Sequence, residues 1–305
     1  MDNQRNELGG FLSGITYGRR TRPVFCVIYG PDGVGKTTWA SQAPLPIFCG
    51  TENGTYQLDV PRLPRPETLV DFRNQIKGLQ NQEHPFRTLV VDSLDWLEPL
   101  IWKKVCQDAE VKTIQEYLGG YGNGYNRAAE VWRELLGELE IVAKKLHVIL
   151  ICHSKVKRFD DPNFTAGYDR YIMAINEQAA AAVRQAVDAV LFANFKTQVR
   201  EVSKHVGKGI GEAERVLYTE RRPAFDAKNR FALPFELKLE WKEFAQRVKE
   251  FYSPAPIPAA VTAPAAELPT ATVTADGPGA SPGASEAQKG TESQAEPEAP
   301  GEVAA

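Results

Sequence analysis

Val24-Phe25-Cys26-Val27-Ile28-Tyr29 runs straight into Gly30-Pro31-Asp32-Gly33-Val34-Gly35-Lys36-Thr37, and Thr38-Trp39-Ala40 follow. An apolar strand, a glycine turn and then a helix is the setting in which a phosphate-binding loop works. The glycines let the backbone curl until successive N–H groups point at one anion, and the start of the helix adds partial positive charge. On this reading Gly30, Pro31, Asp32, Gly33, Val34, Gly35, Lys36, Thr37 and Thr38 cradle a nucleoside triphosphate. Lys36 reaches the β- and γ-phosphates, and the Thr37 hydroxyl ligates Mg²⁺. The competing reading is a glycine-rich turn that matches by chance.

Outward from this loop, apolar runs alternate with helical patterns. Strands are expected at 24–29, 46–49, 88–91, 147–152 and 187–195, with two further β-like stretches at 215–219 and 222–227. Helices are expected at 36–42, 67–80, 96–117, 126–145 and 175–186. The 126–145 helix shows its apolar stripe at Val131, Leu135, Leu139 and Val142. A polar loop is expected at 154–170. Strands alternating with helices predict an α/β fold with a mostly parallel central sheet flanked by helices.

Composition divides the chain into an arm (1–22), a body (23–252) and a tail (253–305). The tail is built of Ala, Pro, Gly, Ser, Thr and Glu, with no aromatic residue after Tyr252. It buries too little apolar surface to offset its chain entropy, so it reads as disordered. Its seven acidic residues and one Lys give a net of −6, which leaves +3 of the chain's −3 on residues 1–252. A mildly basic body with an acidic tail suits a nucleic-acid binder. Cys26, Cys49, Cys106 and Cys152 lack metal-ligand spacing and read mostly as small buried hydrophobes. No leader and no long apolar run is evident, so a cytoplasmic protein that does not enter membranes is expected.

Ligands of α/β sheets bind at the carboxyl ends of the strands, and four strands end in a polar group there. The phosphate loop follows the first. Glu52 follows the second, as a candidate to orient the attacking water or as a solvated turn residue beside Asn53-Gly54. Asp92 ends Thr88-Leu89-Val90-Val91 and is the Walker-B-type carboxylate that holds Mg²⁺, or else a helix cap. Asp95 is either near the metal or a first-turn helix carboxylate. His153 ends the fourth strand, to sense the γ-phosphate or to sit as a satisfied buried histidine. After it, Lys155, Lys157, Arg158 and Phe159 offer cations around an aromatic, either a nucleic-acid contact or a solvated charged run. Tyr168, Arg170 and Tyr171 add similar chemistry, and Lys204, His205 and Lys208 are a weaker candidate for the same surface.

Taken in order, Gly30–Thr37, Glu52, Val90-Val91-Asp92-Ser93, the polar end of the 147–153 strand and Ala227-Lys228-Asn229-Arg230 resemble the motifs of RecA-type ATPases. The ending Ala227–Pro234 resembles the Lys-Asn-Lys segment of bacterial RecA and is more similar still to phage-encoded, RecA-like ATPases reduced to the core, some of which are single-strand annealing recombinases. The resemblance covers about residues 23–240. It implies a water-activating role for Glu52 and a coupling role for His153, which stands where RecA has glutamine. It implies DNA-binding loops at Gly119–Tyr125 and 154–174, and γ-phosphate contacts by Lys228 and Arg230 in trans across a homo-oligomer with ATP at its interfaces. Bacterial RecA has a larger N-terminal region and a folded C-terminal domain, where this sequence is expected to have an arm of about 22 residues and a tail.

The function expected is therefore a DNA-stimulated ATPase acting on single-stranded DNA in recombination or annealing, with ATP and Mg²⁺ as cofactors. A single-strand DNA-binding protein is a further expected partner. The alternatives are a replication loader or accessory ATPase acting through a protein partner, and a small-molecule kinase. The kinase would need a lid with several arginines and an acceptor pocket, neither of which is evident, and no Asn-Lys-x-Asp guanine motif occurs.

Overall fold

The computed structural model describes residues 18–52, 54–160, 166–196, 198–203, 206–210 and 214–253. Residues 1–17 of the expected arm and the tail beyond Ser253 lie outside them. In chain order the elements are β1 (Phe25–Gly30), α1 (Lys36–Ser41), β2 (Pro46–Gly50), α2 (Leu69–Asn81), β3 (Thr88–Asp92) and α3 (Leu94–Asp108). A 3₁₀ turn (Ile114–Gly119), α4 (Asn123–Val142), β4 (His147–Phe159), β5 (Tyr168–Met173), α5 (Glu177–Ala186) and β6 (Ala189–Phe195) follow. Then come β7 (Gln198–Ser203), β8 (Val206–Ile210), β9 (Arg215–Tyr218), β10 (Lys228–Asn229), β11 (Glu236–Lys238) and α6 (Trp241–Tyr252).

The main sheet runs β11-β9-β6-β1-β4-β3-β2, with β1, β2, β3, β4 and β6 parallel, β9 and β10 each pairing antiparallel with β6, and β11 pairing antiparallel with β9. The expected mostly parallel α/β sheet is what forms. Its strands are continuous apolar runs because both faces are covered, and successive side chains enter different cores. Phe25, Val27 and Tyr29 face a core shared with α2, α3, α4 and α5. Cys26 and Ile28 face a second core with α1 and α6, where Trp39 packs 5.0 Å from Trp241 and 5.4 Å from Phe244. Cys26, Cys49 and Cys152 are buried thiols of these cores.

Three expectations need correction. The polar loop at 154–170 is largely a hairpin: β4 continues past His153 and pairs antiparallel with β5, Lys157 opposite Arg170 and Phe159 opposite Tyr168. The helix expected over 96–117 stops at Asp108, where Glu110 takes a positive φ of 53°, a conformation a helix cannot pass through. The β-like stretch at 222–227 is a turn closed by Arg222 and Phe225, and the short strand is Lys228–Asn229. Helix α6 carried no expectation at all. No helix among the described residues is long and apolar enough to cross a membrane.

Candidate nucleotide site

Parallel register sets the site. Gly30 is level with His153, and Asp92 is level with Gly50 and Ile151, so the ends of β1, β2, β3 and β4 share one edge. At the start of the loop Gly30 is obligatory, since a Cβ there would stand 2.1 Å from the Ala193 carbonyl oxygen. Gly35 holds φ at 106°, which favours glycine, and lies against the Arg215 guanidinium. Lys36 is buried, and its ammonium donates to the carbonyls of Gly30 and Pro31 at 3.0 Å each. Burial pulls its pKa down, against the attraction of Asp32 and Asp92.

The Thr37 hydroxyl donates to Asp92 Oδ2 at 2.9 Å. Asp92 is 1% exposed, and burial lifts its carboxyl from 3.8 to about 6. Its Oδ1 and the buried Ser93 hydroxyl have no hydrogen-bond partner among the described residues. An orphaned carboxylate oxygen beside a threonine hydroxyl fits a divalent cation. Among the described residues no cluster of three or more His, Cys, Asp or Glu forms a metal cage. One hydroxyl and one carboxylate is the sparse donor set that suits Mg²⁺, which keeps waters and takes phosphate oxygens.

Glu52 is set by a clasp that sequence reading missed. Thr51 Oγ1 donates to the Ser93 carbonyl (2.7 Å) and accepts the Ser93 N–H (2.8 Å), while Thr51 N–H donates to the Asp92 carbonyl (2.8 Å). Nothing in the local pattern marked Thr51, because its partners are 42 residues away. Burial raises the Glu52 carboxyl, opposed by the nearby charges of His153 and Lys36.

His153 ties these parts together. Its N–H donates to Asp95 Oδ1 at 3.0 Å, its Nδ1 lies 2.8 Å from Asp95 Oδ2, and its Nε2 lies 3.5 Å from Asp32 Oδ1 on the phosphate loop. The Asp95 hydrogen bond raises the imidazole pKa. Burial works against the Asp95 charge, but the His153 bonds outweigh it and hold that carboxyl at about 2. Asp95 is the first-turn carboxylate of α3, one of its two expected places, and from there it holds His153.

The remaining candidates lie elsewhere. Alternation along the hairpin puts Lys155, Lys157 and Phe159 on one face and Arg158 on the other. Lys155 donates to the Ile175 carbonyl at 2.9 Å, Lys157 pairs with Glu177, and Arg158 has no ion-pair partner among the described residues. The Arg170 guanidinium stands 5.2 Å from the centre of the Phe159 ring. Lys204 and His205 lie outside the described residues, as does the side chain of Lys208. Lys228 and Arg230 flank the start of β6, at the opposite edge of the sheet from the loop. Lys228 donates to the carbonyls of Arg184 (2.6 Å) and Val187 (2.7 Å) at the end of α5. Arg230 and Arg22 both pair with the buried Asp188. Within one chain neither Lys228 nor Arg230 reaches the phosphate loop.

A glycine loop between β1 and α1, with a threonine–aspartate pair and a lysine at the carboxyl edge of a parallel sheet, defines a P-loop nucleotide-binding protein. The family model for an AAA domain, AAA_24, matches residues 22–231, and the chain belongs to that family of P-loop ATPases. It is 24% identical over 131 residues to the SPbeta prophage-derived uncharacterized protein YorG of Bacillus subtilis (strain 168), a stretch covering 42% of this chain and 40% of that relative. The chain therefore spans less than half the length of this relative. Among solved structures, the flagellar accessory protein FlaH of Methanocaldococcus jannaschii aligns at 10% identity with a TM-score of 0.35, over 77% of this chain and 91% of that one.

Proposed function

We propose that this chain is a phage-encoded ATPase of the RecA-like recombinase type, which acts on single-stranded DNA in recombination or annealing and assembles with ATP between subunits. The observation that carries the reading is the path of β4. One strand runs from the core, through His153 at the phosphate loop, into the cationic hairpin. A change at the nucleotide is felt at the root of that hairpin. The prophage origin of the YorG relative supports the phage setting.

In this reading Lys36 leaves the Gly30 and Pro31 carbonyls to take up phosphate charge. Thr37 and Asp92 would hold Mg²⁺, which would supply positive charge to the phosphates. That charge is needed, because Asp32, Glu52, Asp92 and Asp95 outnumber Lys36 and His153 at this edge. Glu52 orients the attacking water and accepts its proton. His153, held by Asp95, exchanges Asp32 for a phosphate oxygen. Arg230 is 51% exposed, so it is better placed than Lys228 to reach a neighbouring subunit. A cation supplied in trans is worth roughly 10³–10⁵ in rate.

The test is the ATPase rate with and without single-stranded DNA over a series of protein concentrations. Stimulation by DNA and a specific activity that rises with concentration are expected. A rate indifferent to both overturns the reading. One observation favours a second reading: Lys155 and Lys157 are already engaged by their own chain, which suits a hairpin that meets a protein partner. A loader of that kind would ignore the DNA and respond to the partner.

A further inference from the structure

The face of the hairpin that packs on α5 encloses a cavity of about 410 Å³, lined among others by Phe159, Arg170, Arg184, Arg221 and Asp226. That volume falls in the range of small-ligand sites, roughly 300–1,000 Å³. Three guanidinium groups converge there on one carboxylate. Arg170, Arg184 and Arg221 lie 2.8, 3.5 and 3.7 Å from the oxygens of Asp226. Arg170 is 4% exposed, and its Nε–H has no partner among the described residues. Of the other two acids of the lining, Glu177 is taken by Lys157, and the exposed Asp160 stands with Arg158 on the same stretch of chain.

Only Arg170 of the three is buried, and Asp226 answers its charge, as a buried ion needs. Arg184 and Arg221, about one-third and three-fifths exposed, share that carboxylate at longer range, so most of their N–H donors are left for an anion. Guanidinium forks of this kind match the oxygens of a phosphate. At the rim Phe159 is 36% exposed and 5.8 Å from the Tyr168 ring, an aromatic surface of the sort on which a base stacks.

We propose that this cavity is a second phosphate site, apart from the phosphate loop, which holds one nucleotide unit with its phosphate on Arg184 and Arg221 and its base on Phe159. The buried Arg170 and Asp226 fix the geometry from behind. The unit is either a free nucleotide or one residue of a strand. In the second case the site extends the single-strand reading; in the first it stands without it.

The test uses the full chain carrying Lys36→Ala, which silences the phosphate loop, with and without Arg184→Ala and Arg221→Ala. The two arginines are at the surface of the cavity, and Arg184→Lys with Arg221→Lys controls for folding. The probes are a fluorescent oligothymidylate, thymidine monophosphate and inorganic phosphate. Binding of at least one probe is expected, weakened about 10–100-fold by the double alanine change and regained only in part with lysine, which restores the charge but not the fork. If a strand is the source, the oligothymidylate salt slope also falls by about 0.7.

Thymidine monophosphate bound through the arginines, with no oligothymidylate bound, would keep the cavity proposal and refute the single-strand reading. Oligothymidylate bound equally well by the double variant would keep that reading and refute the cavity. Failure of all three probes to bind the Lys36→Ala chain also overturns the cavity proposal.

Discussion

Replacing Asp92 by Asn removes a charge that the folded chain holds at a cost. The carboxyl is 1% exposed, and its pKa rises from 3.8 to about 6 because burial disfavours the ionised form. A shift of that size corresponds to about 3 kcal/mol between the two protonation states. Since the folded pKa is the higher one, the folded state binds the proton more tightly. The stability this gives is complete below 3.8 and is lost as pH rises through about 6. Asn keeps the Thr37 bond but puts an amide N–H where Oδ1 has no partner, an expense of about 1–3 kcal/mol that does not depend on pH.

The wild type should therefore lose about 3 kcal/mol relative to Asp92→Asn between about pH 4 and pH 8. For a body of this size that is a relative change in melting midpoint of about 6–12 °C. Thermal or urea unfolding of both chains, free of nucleotide and metal, measures it. Saturating Mg·ATP should then favour the wild type, by about 2.7 kcal/mol at a hundred times the dissociation constant. A stability difference that stays constant with pH would refute the claim that a buried, desolvated carboxylate waits here for a cation.

Three further outcomes are expected. Lys36→Ala should abolish ATP binding, read by calorimetry, since the buried ammonium is held on the loop carbonyls of Gly30 and Pro31, where the phosphates would arrive. Gly30→Ala should lower the unfolding free energy by about 1–3 kcal/mol, because its Cβ would collide with the Ala193 carbonyl 2.1 Å away. Asp95→Asn should lower the His153 pKa, followed by the imidazole proton shift. The stabilisation from that pair is present while His153 is protonated and is lost as pH rises through its raised pKa.

The carboxyl-edge site was legible because its members sit at the ends of apolar runs, and parallel register brings such ends level. Gly30, Glu52, Asp92 and His153 needed no knowledge of long-range contacts to be placed on one edge. What escaped depends on pairs far apart in the chain. Thr51 acts through Ser93, and Asp95 acts through His153, 58 residues on. The hairpin looks like a loop in sequence because its strands are mostly polar, and period-two alternation of Lys155, Lys157 and Phe159 resembles a solvated charged run. The arginines around Asp226 come from β5, α5 and the turn after β9, so no window of sequence contains them together. Lys228 and Arg230 were grouped with the nucleotide by resemblance, yet they lie at the other end of β6 in the same chain.

The most direct test of the account is Glu52→Gln. The clasp at Thr51 is a matter of backbone and hydroxyl groups, so the loop should keep its shape and ATP should bind with unchanged affinity. Hydrolysis in a single turnover should fall by about 10²–10⁴-fold, the usual worth of a positioned base. Undiminished hydrolysis, or loss of binding together with hydrolysis, would contradict the role assigned to the carboxylate at the end of β2.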